Sequence, residues 1–381
     1  MSSSASLYFS PQSATRQAVG QILINGRFLS RTPTGVDRFA YEVLAGIDQL
    51  LEADDPCVQG LRFKLLLPPG VTQKKAFTAI ETATVGEKNG QLWEQFDLPR
   101  AVGRGDLLLN LCNTAPAFLR RQIVVIHDAT TVRYPVAFSR SFRNWYRILM
   151  PILGRSARRV LTVSDFSKNE IARAFHIPTR KCEVVIEGGE HILRTSASVD
   201  AVHRFGLDKR PFVLAVSSLA AHKNFKLVLE ALALMPNPPF DIAIAGGANA
   251  RVFGAMGDLG SDKVRWLGYV EDDELRALYE HALCFVFPSL YEGFGIPPLE
   301  AMVCGCPVLA ANAASIPEVC GDAALYFDPK DPAALATLLQ KVANDESLRE
   351  DLCRRGRQRA QLFSWDIAAR QVVQACRESL V

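Results

Sequence analysis

PSLYEGFGIPPLEAMVCGCPVLA (288–310) follows directly on the apolar run ALCFVF (282–287), so a buried strand runs into the turn Glu292-Gly293-Phe294-Gly295. Two glycines one residue apart let backbone N–H groups come close to a ligand. Pro297 and Pro298 suit a first helical turn and Gly305 suits its end, so the turn feeds a helix N-terminus. Free N–H groups and the helix dipole attract phosphate there. Glu300 falls in the same first turn, where a carboxylate is electrostatically favoured and can accept hydrogen bonds from the vicinal hydroxyls of a ribose. With PVLA (307–310) as the next strand, strand, turn, helix and strand follow in the order of a parallel-sheet unit.

Outward from this unit the same alternation continues in both directions. FVLAV (212–216), DIAIA (241–245), KVRWL (263–267) and ALYF (324–327) read as further strands, with helical patterns over Lys223–Met235 and Asp273–Ala282 between them. Upstream, ILI (22–24), FKLLL (63–67), DLLLNL (106–111), QIVVI (122–126), RVLTV (159–163) and CEVVI (182–186) form a second strand series. Val36, Phe39, Ala40, Val43, Leu44, Ile47 and Leu51 recur at helical spacing after the first of them. Ser167 and Glu170 have capping-box spacing and predict a helix start after the fifth. Continuous apolar strands alternating with amphipathic helices predict parallel sheets covered on both faces. The polar stretch 194–210 lacks periodicity and reads as the linker. The expected organisation is α/β with two Rossmann-like domains, residues 1–200 and 209–365, and a last helix, 366–381, crossing back to the first domain.

At 381 residues the chain is too long for one small module, and 49% hydrophobic with 22% charged residues suits a globular protein with a real core. A formal net charge of +3 is too small an excess to point to nucleic acid as a partner. The nine cysteines are scattered, with only Cys304 and Cys306 close together, which is neither a disulfide framework nor zinc spacing. They read as reduced, partly buried thiols of a cytoplasmic protein. No apolar run reads as a signal peptide or a membrane span.

Glu292 and Glu300 flank GFGIPPL with seven residues between them, and this spacing resembles the E-x7-E motif of family 4 of the GT-B glycosyltransferases, the glycosyl transferases group 1. EGFGIPPLEAM matches that pattern nearly residue for residue. The resemblance extends from about residue 22 to 380: PTGVDRFAYEVL (33–44), VVIHD (124–128), LTVSDFSKNEI (161–171), VSSLAAHKN (216–224) and FSWDIAA (363–369) are each similar to family segments. It implies a GT-B fold with two domains facing across a cleft, the nucleotide-sugar donor on the C-terminal domain and the acceptor on the N-terminal one.

By the same resemblance, Glu300 binds the nucleotide ribose and Glu292 lies beside the transferred sugar. Gly293, Phe294 and Gly295 face the sugar and diphosphate, Gly35 lets the diphosphate approach, and Ser217 and Val270 complete the donor site. Lys223 presents a cation to the phosphates, His127 contacts donor sugar hydroxyls and Asp128 orients it. His127, Glu292 and Lys223 are the expected catalytic residues. Two segments depart from the family: His222 stands where an Arg is common beside the Lys, and EGGEH (187–191) where many members have Asn-Gly. The resemblance further implies retention of anomeric configuration, no metal and no other cofactor. Chains with a TGVDRF-like start and an HD strand resemble bacterial mannosyl- and rhamnosyltransferases of polysaccharide assembly. GDP-mannose is therefore the expected donor, and a lipid-linked or oligosaccharide molecule the expected acceptor.

Rival readings are a nucleotide-sugar epimerase of the same fold and a non-catalytic, membrane-associated scaffold. A dinucleotide dehydrogenase is disfavoured, because neither first strand-helix turn carries G-x-G-x-x-G. SRSFRNWYRILMPILGRSARRV (139–160) has Arg140, Arg143, Arg147, Arg155, Arg158 and Arg159 interleaved with apolar residues and contains no acid. Three roles stay open for it: contact with an anionic membrane surface, a hold on an acceptor pyrophosphate, or a solvated helix face.

Overall fold

The computed structural model describes residues 20–31, 34–72, 76–216, 218, 220–246 and 263–380. Seven parallel strands form the first sheet: β1 (Gly20–Asn25), β2 (Leu61–Leu67), β3 (Glu81–Thr84), β4 (Leu107–Asn110), β5 (Gln122–Val125), β6 (Arg159–Thr162) and β7 (Cys182–Val184). Their spatial order is β3-β2-β1-β4-β5-β6-β7. The second sheet has six: β8 (Phe212–Val216), β9 (Asp241–Ala245), β10 (Val264–Gly268), β11 (Cys284–Phe287), β12 (Val308–Ala311) and β13 (Ala324–Phe327), ordered β10-β9-β8-β11-β12-β13. Every pairing in both sheets is parallel.

The central strands are mostly apolar because helices cover both faces. β4, β5, β9, β11 and β12 are buried at every residue. The edge strand β3, sequence ETAT, has no apolar signature and is largely exposed, which is why hydrophobic patterning passes over it. The longer helices are α1 (Gly35–Glu52), α2 (Arg140–Ser156), α3 (Asp165–Phe175), α4 (Phe225–Ala233), α5 (Asp272–His281), α6 (Ile296–Val303), α7 (Pro332–Asn344), α8 (Glu346–Ala360) and α9 (Trp365–Leu380). α9 packs on α1 at the first sheet, so closely at Gly46 that an added Cβ would lie 2.8 Å from that of Ala369.

One helix start departs from expectation. Ser164, not Ser167, caps α3: its Oγ accepts from Ser167 N at 2.9 Å, and the helix begins at Asp165. Ser167 lies inside the first turn, where its hydroxyl is free to bond elsewhere. The nine cysteines are unpaired and buried or half-buried, and burial pushes the Cys304 thiol up to about 12. Such thiols are inert packing groups.

In each sheet the strand order reverses beside its first strand, between β1 and β4 and between β8 and β11. In open parallel sheets, ligands collect beyond the carboxyl ends of the strands at that reversal. The segments after β5, β8 and β11 carry most of the residues singled out above.

Candidate active site

After β8 the chain makes a short 3-10 turn, Ala221–Lys223, ended by Asn224 in the left-handed region at φ 59°. Asn tolerates that conformation, and its side-chain amide donates to Pro288 O (3.2 Å) and Pro329 O (2.8 Å), which pins the turn. Lys223 is thereby aimed at the turn after β11. Its Nζ donates to both carboxylate oxygens of Glu292, at 2.7 and 2.9 Å, and the side chains are 18% and 13% exposed. Two of the three expected catalytic residues thus form one ion pair.

The turn that follows is held from both sides. Ser315 Oγ bonds Glu292 O (3.0 Å) and Phe294 O (2.8 Å) within the second domain. Across the cleft, Ser164 Oγ (2.6 Å) and Ser167 Oγ (2.9 Å) both donate to Gly293 O. A Cβ on Gly293 would sit 2.6 Å from His127 O, so only glycine lets the two domains meet there. Gly295, at φ 110°, starts α6 in a conformation that disfavours any side chain. Phe294 turns inward and packs edge-on against Phe363, with ring centroids 5.7 Å apart.

Glu300, in α6, is nearly buried, and both of its oxygens have partners. Tyr279 OH donates to Oε2 at 3.1 Å, and His191 Nε2 lies 2.9 Å from Oε1. The Trp365 indole N–H, at the start of α9, donates to His191 Nδ1 at 3.0 Å. An indole nitrogen only donates, so His191 Nδ1 carries no proton and the ring hydrogen sits on Nε2, facing the carboxylate. A chain of hydrogen bonds thus runs from the last helix, through a loop of the first domain, to the acidic residue of the second. Burial, with Glu300 adding to it, holds the Tyr279 phenol well above its ordinary pKa, so it remains a donor.

His127 does not reach the open cleft. It is 4% exposed, its Nε2 lies 3.0 Å from Leu111 O, its Nδ1 lies 3.6 Å from Glu187, and Phe39 packs edge-on to the ring. Burial raises the Glu187 carboxyl above the usual carboxylate range. Asp128, the next residue, does face the cleft. So does His222, whose imidazole is held neutral because burial, and Lys223 beside it, lower its pKa.

Gly35 opens α1 at the cleft, where an added Cβ would meet nothing within 4 Å, and the Thr34–Asp37 capping box fixes that end. Val270 is half-buried between β10 and α5, at the carboxyl edge of the second sheet. Ser217 lies outside the described residues. Further bonds bridge the domains: Arg38 to Asp272 in two bonds of 2.7 and 2.6 Å, and the Glu318 carboxylate to Asp165 N (2.7 Å) and Phe166 N (3.0 Å) at the start of α3. No three His, Cys, Asp or Glu side chains among the described residues converge as a metal-ligand set.

The model of the family described as glycosyl transferases group 1 matches residues 202–359. An O-antigen chain mannosyltransferase B from Escherichia coli is 33% identical over 270 residues, covering 68% of this chain and 71% of that protein. The chain belongs to the glycosyl transferases group 1 family. It is a glycosyltransferase. Another relative, the O-antigen chain mannosyltransferase RfbU of Salmonella typhimurium, is 28% identical over 63% of this chain and 65% of its own length. Among solved structures, a sucrose-phosphate synthase from Thermosynechococcus elongatus superposes with a TM-score of 0.72 at 19% identity, covering 94% of this chain and 98% of that one. Anabaena HepE, solved with UDP and glucose, superposes with a TM-score of 0.69 at 20% identity, covering 94% and 100%. These likenesses establish the GT-B fold, two Rossmann-like domains facing across a cleft.

Within this glycosyltransferase, sequence reading passed over His191, Tyr279, Glu187 and Glu318 as site residues. Tyr279 carries only the signal of a core-facing aromatic, although a fully buried phenol requires a polar partner. The departure EGGEH marks the right loop: it supplies Glu187 to His127, Glu190 to Trp365 N at 2.6 Å, and His191 to Glu300.

Proposed function

We propose that this glycosyltransferase transfers mannose from GDP-mannose, with retention of configuration, to a lipid-linked or oligosaccharide acceptor in bacterial O-antigen assembly. The observation that carries the reading is the single turn 292–300. It joins the Lys223–Glu292 pair, a helix N-terminus and the buried Glu300 carboxylate in one element locked against the other domain. The mannosyl and O-antigen parts rest on the names of the E. coli and Salmonella relatives.

In this reading Glu300 accepts the ribose hydroxyls through its remaining lone pairs, and the free N–H groups at the start of α6 meet the diphosphate. Lys223 moves its ammonium, or shares it, from Glu292 to the leaving phosphate as charge develops. Glu292, once freed, accepts from the transferred sugar. The departing phosphate oxygen takes the acceptor proton on the face it leaves, so no protein nucleophile is required. Protein groups neutralise the diphosphate in place of a cation. Turnover of GDP-mannose, chosen from a nucleotide-sugar panel, is therefore expected to persist in excess chelator, with the product anomer matching the donor by NMR. Activity lost in chelator and regained with magnesium or manganese, or an inverted product, would overturn this mechanism. Sugar interconversion without any acceptor would favour the epimerase instead.

A membrane-held acceptor is supported by the surface around α2. No helix among the described residues is long and apolar enough to cross a membrane. Trp145 and Tyr146 are not interfacial anchors, because both pack inward on the cluster of Leu149, Met150 and Leu153. Exposed apolar residues on and near α2 include Phe118, Val136 and Ile148, and Arg140, Arg147 and Arg155 are exposed on α2 itself. Each basic side chain near an anionic surface contributes about 1 kcal/mol. Replacing Arg140, Arg143 and Arg147 with Gln is expected to release the protein from phosphatidylserine vesicles at low salt, with GDP affinity unchanged. Equal sedimentation of variant and parent with the vesicles would return the helix to a solvated face.

A further inference from the structure

Between the carboxyl edges of the two sheets lies a cavity of about 350 Å³ that none of the described donor residues lines, although Thr34 and Val36 on either side of Gly35, and Ser218, border it. From the first domain it is walled by Asp128, Phe138, Phe142 and Tyr146, and from the second by Ala220 and His222. The three aromatic rings follow one another at four-residue steps along the approach to α2 and its first turns. Phe138 and Phe142 stack with centroids 5.3 Å apart at 11°, and Phe142 and Tyr146 with centroids 4.4 Å apart at 29°. Phe142 keeps 37% of its surface exposed at this wall.

The polar groups of the cavity are incompletely used. Asp128 Oδ1 accepts from Thr130 N at 2.7 Å, and its other oxygen has no hydrogen-bond partner among the described residues. His222 is 8% exposed, and its Nδ1 is buried without a hydrogen-bond partner. A buried polar atom left unpaired costs free energy, so such groups mark places where a partner completes the structure.

The chemistry of the wall selects its occupant. A purely apolar ligand would desolvate Asp128 without replacing its hydrogen bonds. A diphosphate would meet that carboxylate as a like charge. A pyranose satisfies both halves, with its C–H face on the aromatic wall and its hydroxyl rim turned to Asp128 and His222. Glu292 and the Gly293 turn lie next to this space without lining it: an added Cβ on Gly293 would be 3.2 Å from Asp128 Cβ. In the reading above, the donor hexose hangs from the Glu292 side. Two of the wall's three rings, Phe142 and Tyr146, belong to α2, whose exposed residues include Arg140, Arg147 and Ile148.

We propose that Phe138, Phe142, Tyr146, Asp128 and His222 form the subsite for the acceptor's terminal pyranose, with Asp128 orienting the attacking hydroxyl. The proposal rests on the glycosyl-transfer reading above, and its test separates the two. Saturation-transfer NMR with the methyl pyranosides of mannose, rhamnose, galactose and N-acetylglucosamine needs no turnover. At least one is expected to receive saturation on the protons of one ring face in the parent and to lose it in Phe142→Ala. No saturation with any of the four, or equal saturation in parent and variant, overturns the proposal. In transfer from GDP-mannose to octyl α-mannopyranoside, Phe142→Ala is expected to raise KM for the mannoside roughly tenfold and KM for GDP-mannose less than about twofold. Phe142→Trp should recover most of the loss. An equal rise in both KM values assigns the cavity to the donor hexose and overturns the acceptor assignment. Failure of the parent to turn over any nucleotide sugar refutes the transfer reading, while the NMR result still decides whether the cavity binds a pyranose.

Discussion

Glu300→Gln is expected to weaken binding of GDP at least tenfold, and His191→Phe to approach the same loss without touching the nucleotide. A charge-assisted hydrogen bond contributes about 1.5–3 kcal/mol, and the carboxylate is expected to hold two ribose hydroxyls. The amide of Gln supplies one acceptor oxygen in place of two. His191→Phe acts one step back. It removes the donor that fixes Glu300 Oε1 and strips the Trp365 indole of its acceptor, so the carboxylate is free to turn away. His191→Gln should restore most of the affinity, because an amide can accept from the indole and donate to the carboxylate. Calorimetry with GDP and with 2′,3′-dideoxy-GDP separates a specific role from general damage. The parent should prefer GDP strongly, and in both Glu300→Gln and His191→Phe that preference should shrink. If the parent binds both nucleotides equally, Glu300 does not hold the ribose. If His191→Phe weakens both nucleotides by the same factor, the chain from Trp365 only supports the fold.

The fold was legible because its signal is local. Twelve of the thirteen described strands carry apolar runs, and the central ones do not alternate because a parallel strand covered on both faces has no reason to. β3 lacks such a run because it is an exposed edge, and Ser167 imitates a cap because Glu170 stands three residues later. Its hydroxyl is used instead across the cleft, on Gly293, a contact with no local signature. The same division holds at the site. Glycines 293 and 295, Glu292, Glu300 and Lys223 lie in segments where turn chemistry and helix polarity are written in consecutive residues. His191, Trp365, Tyr279 and Glu318 matter through partners 109, 174, 21 and 153 residues away. The strand-end position of His127 was readable, but the side chain's direction was not. Leu111, Glu187 and Phe39 enclose that ring and leave the cleft to its neighbour Asp128 and to His222 from the other domain.

Lys223→Ala should produce the largest loss of turnover, because the side chain serves two charges in succession. In the unliganded protein it neutralises Glu292, and both groups are mostly buried. Removing one partner of such a pair leaves the other desolvated and unpaired, at a cost on the order of 3 kcal/mol, so the variant should melt earlier than the parent. During transfer the same ammonium is expected to face the leaving diphosphate. Loss of one preorganised charge donor at developing negative charge typically lowers kcat by roughly 10²–10³. The two effects can be separated. In Lys223→Met combined with Glu292→Gln, no buried charge is left unmatched, so the melting temperature should return most of the way to that of the parent. Turnover should stay low, because the phosphate still lacks its cation. KM for the donor should change less than kcat, since an interaction made mainly in the transition state is lost from the rate and not from binding. If the double variant regained both stability and turnover, Lys223 would be only a counter-ion for Glu292, and charge stabilisation would have to come from the backbone amides of the 293–296 turn.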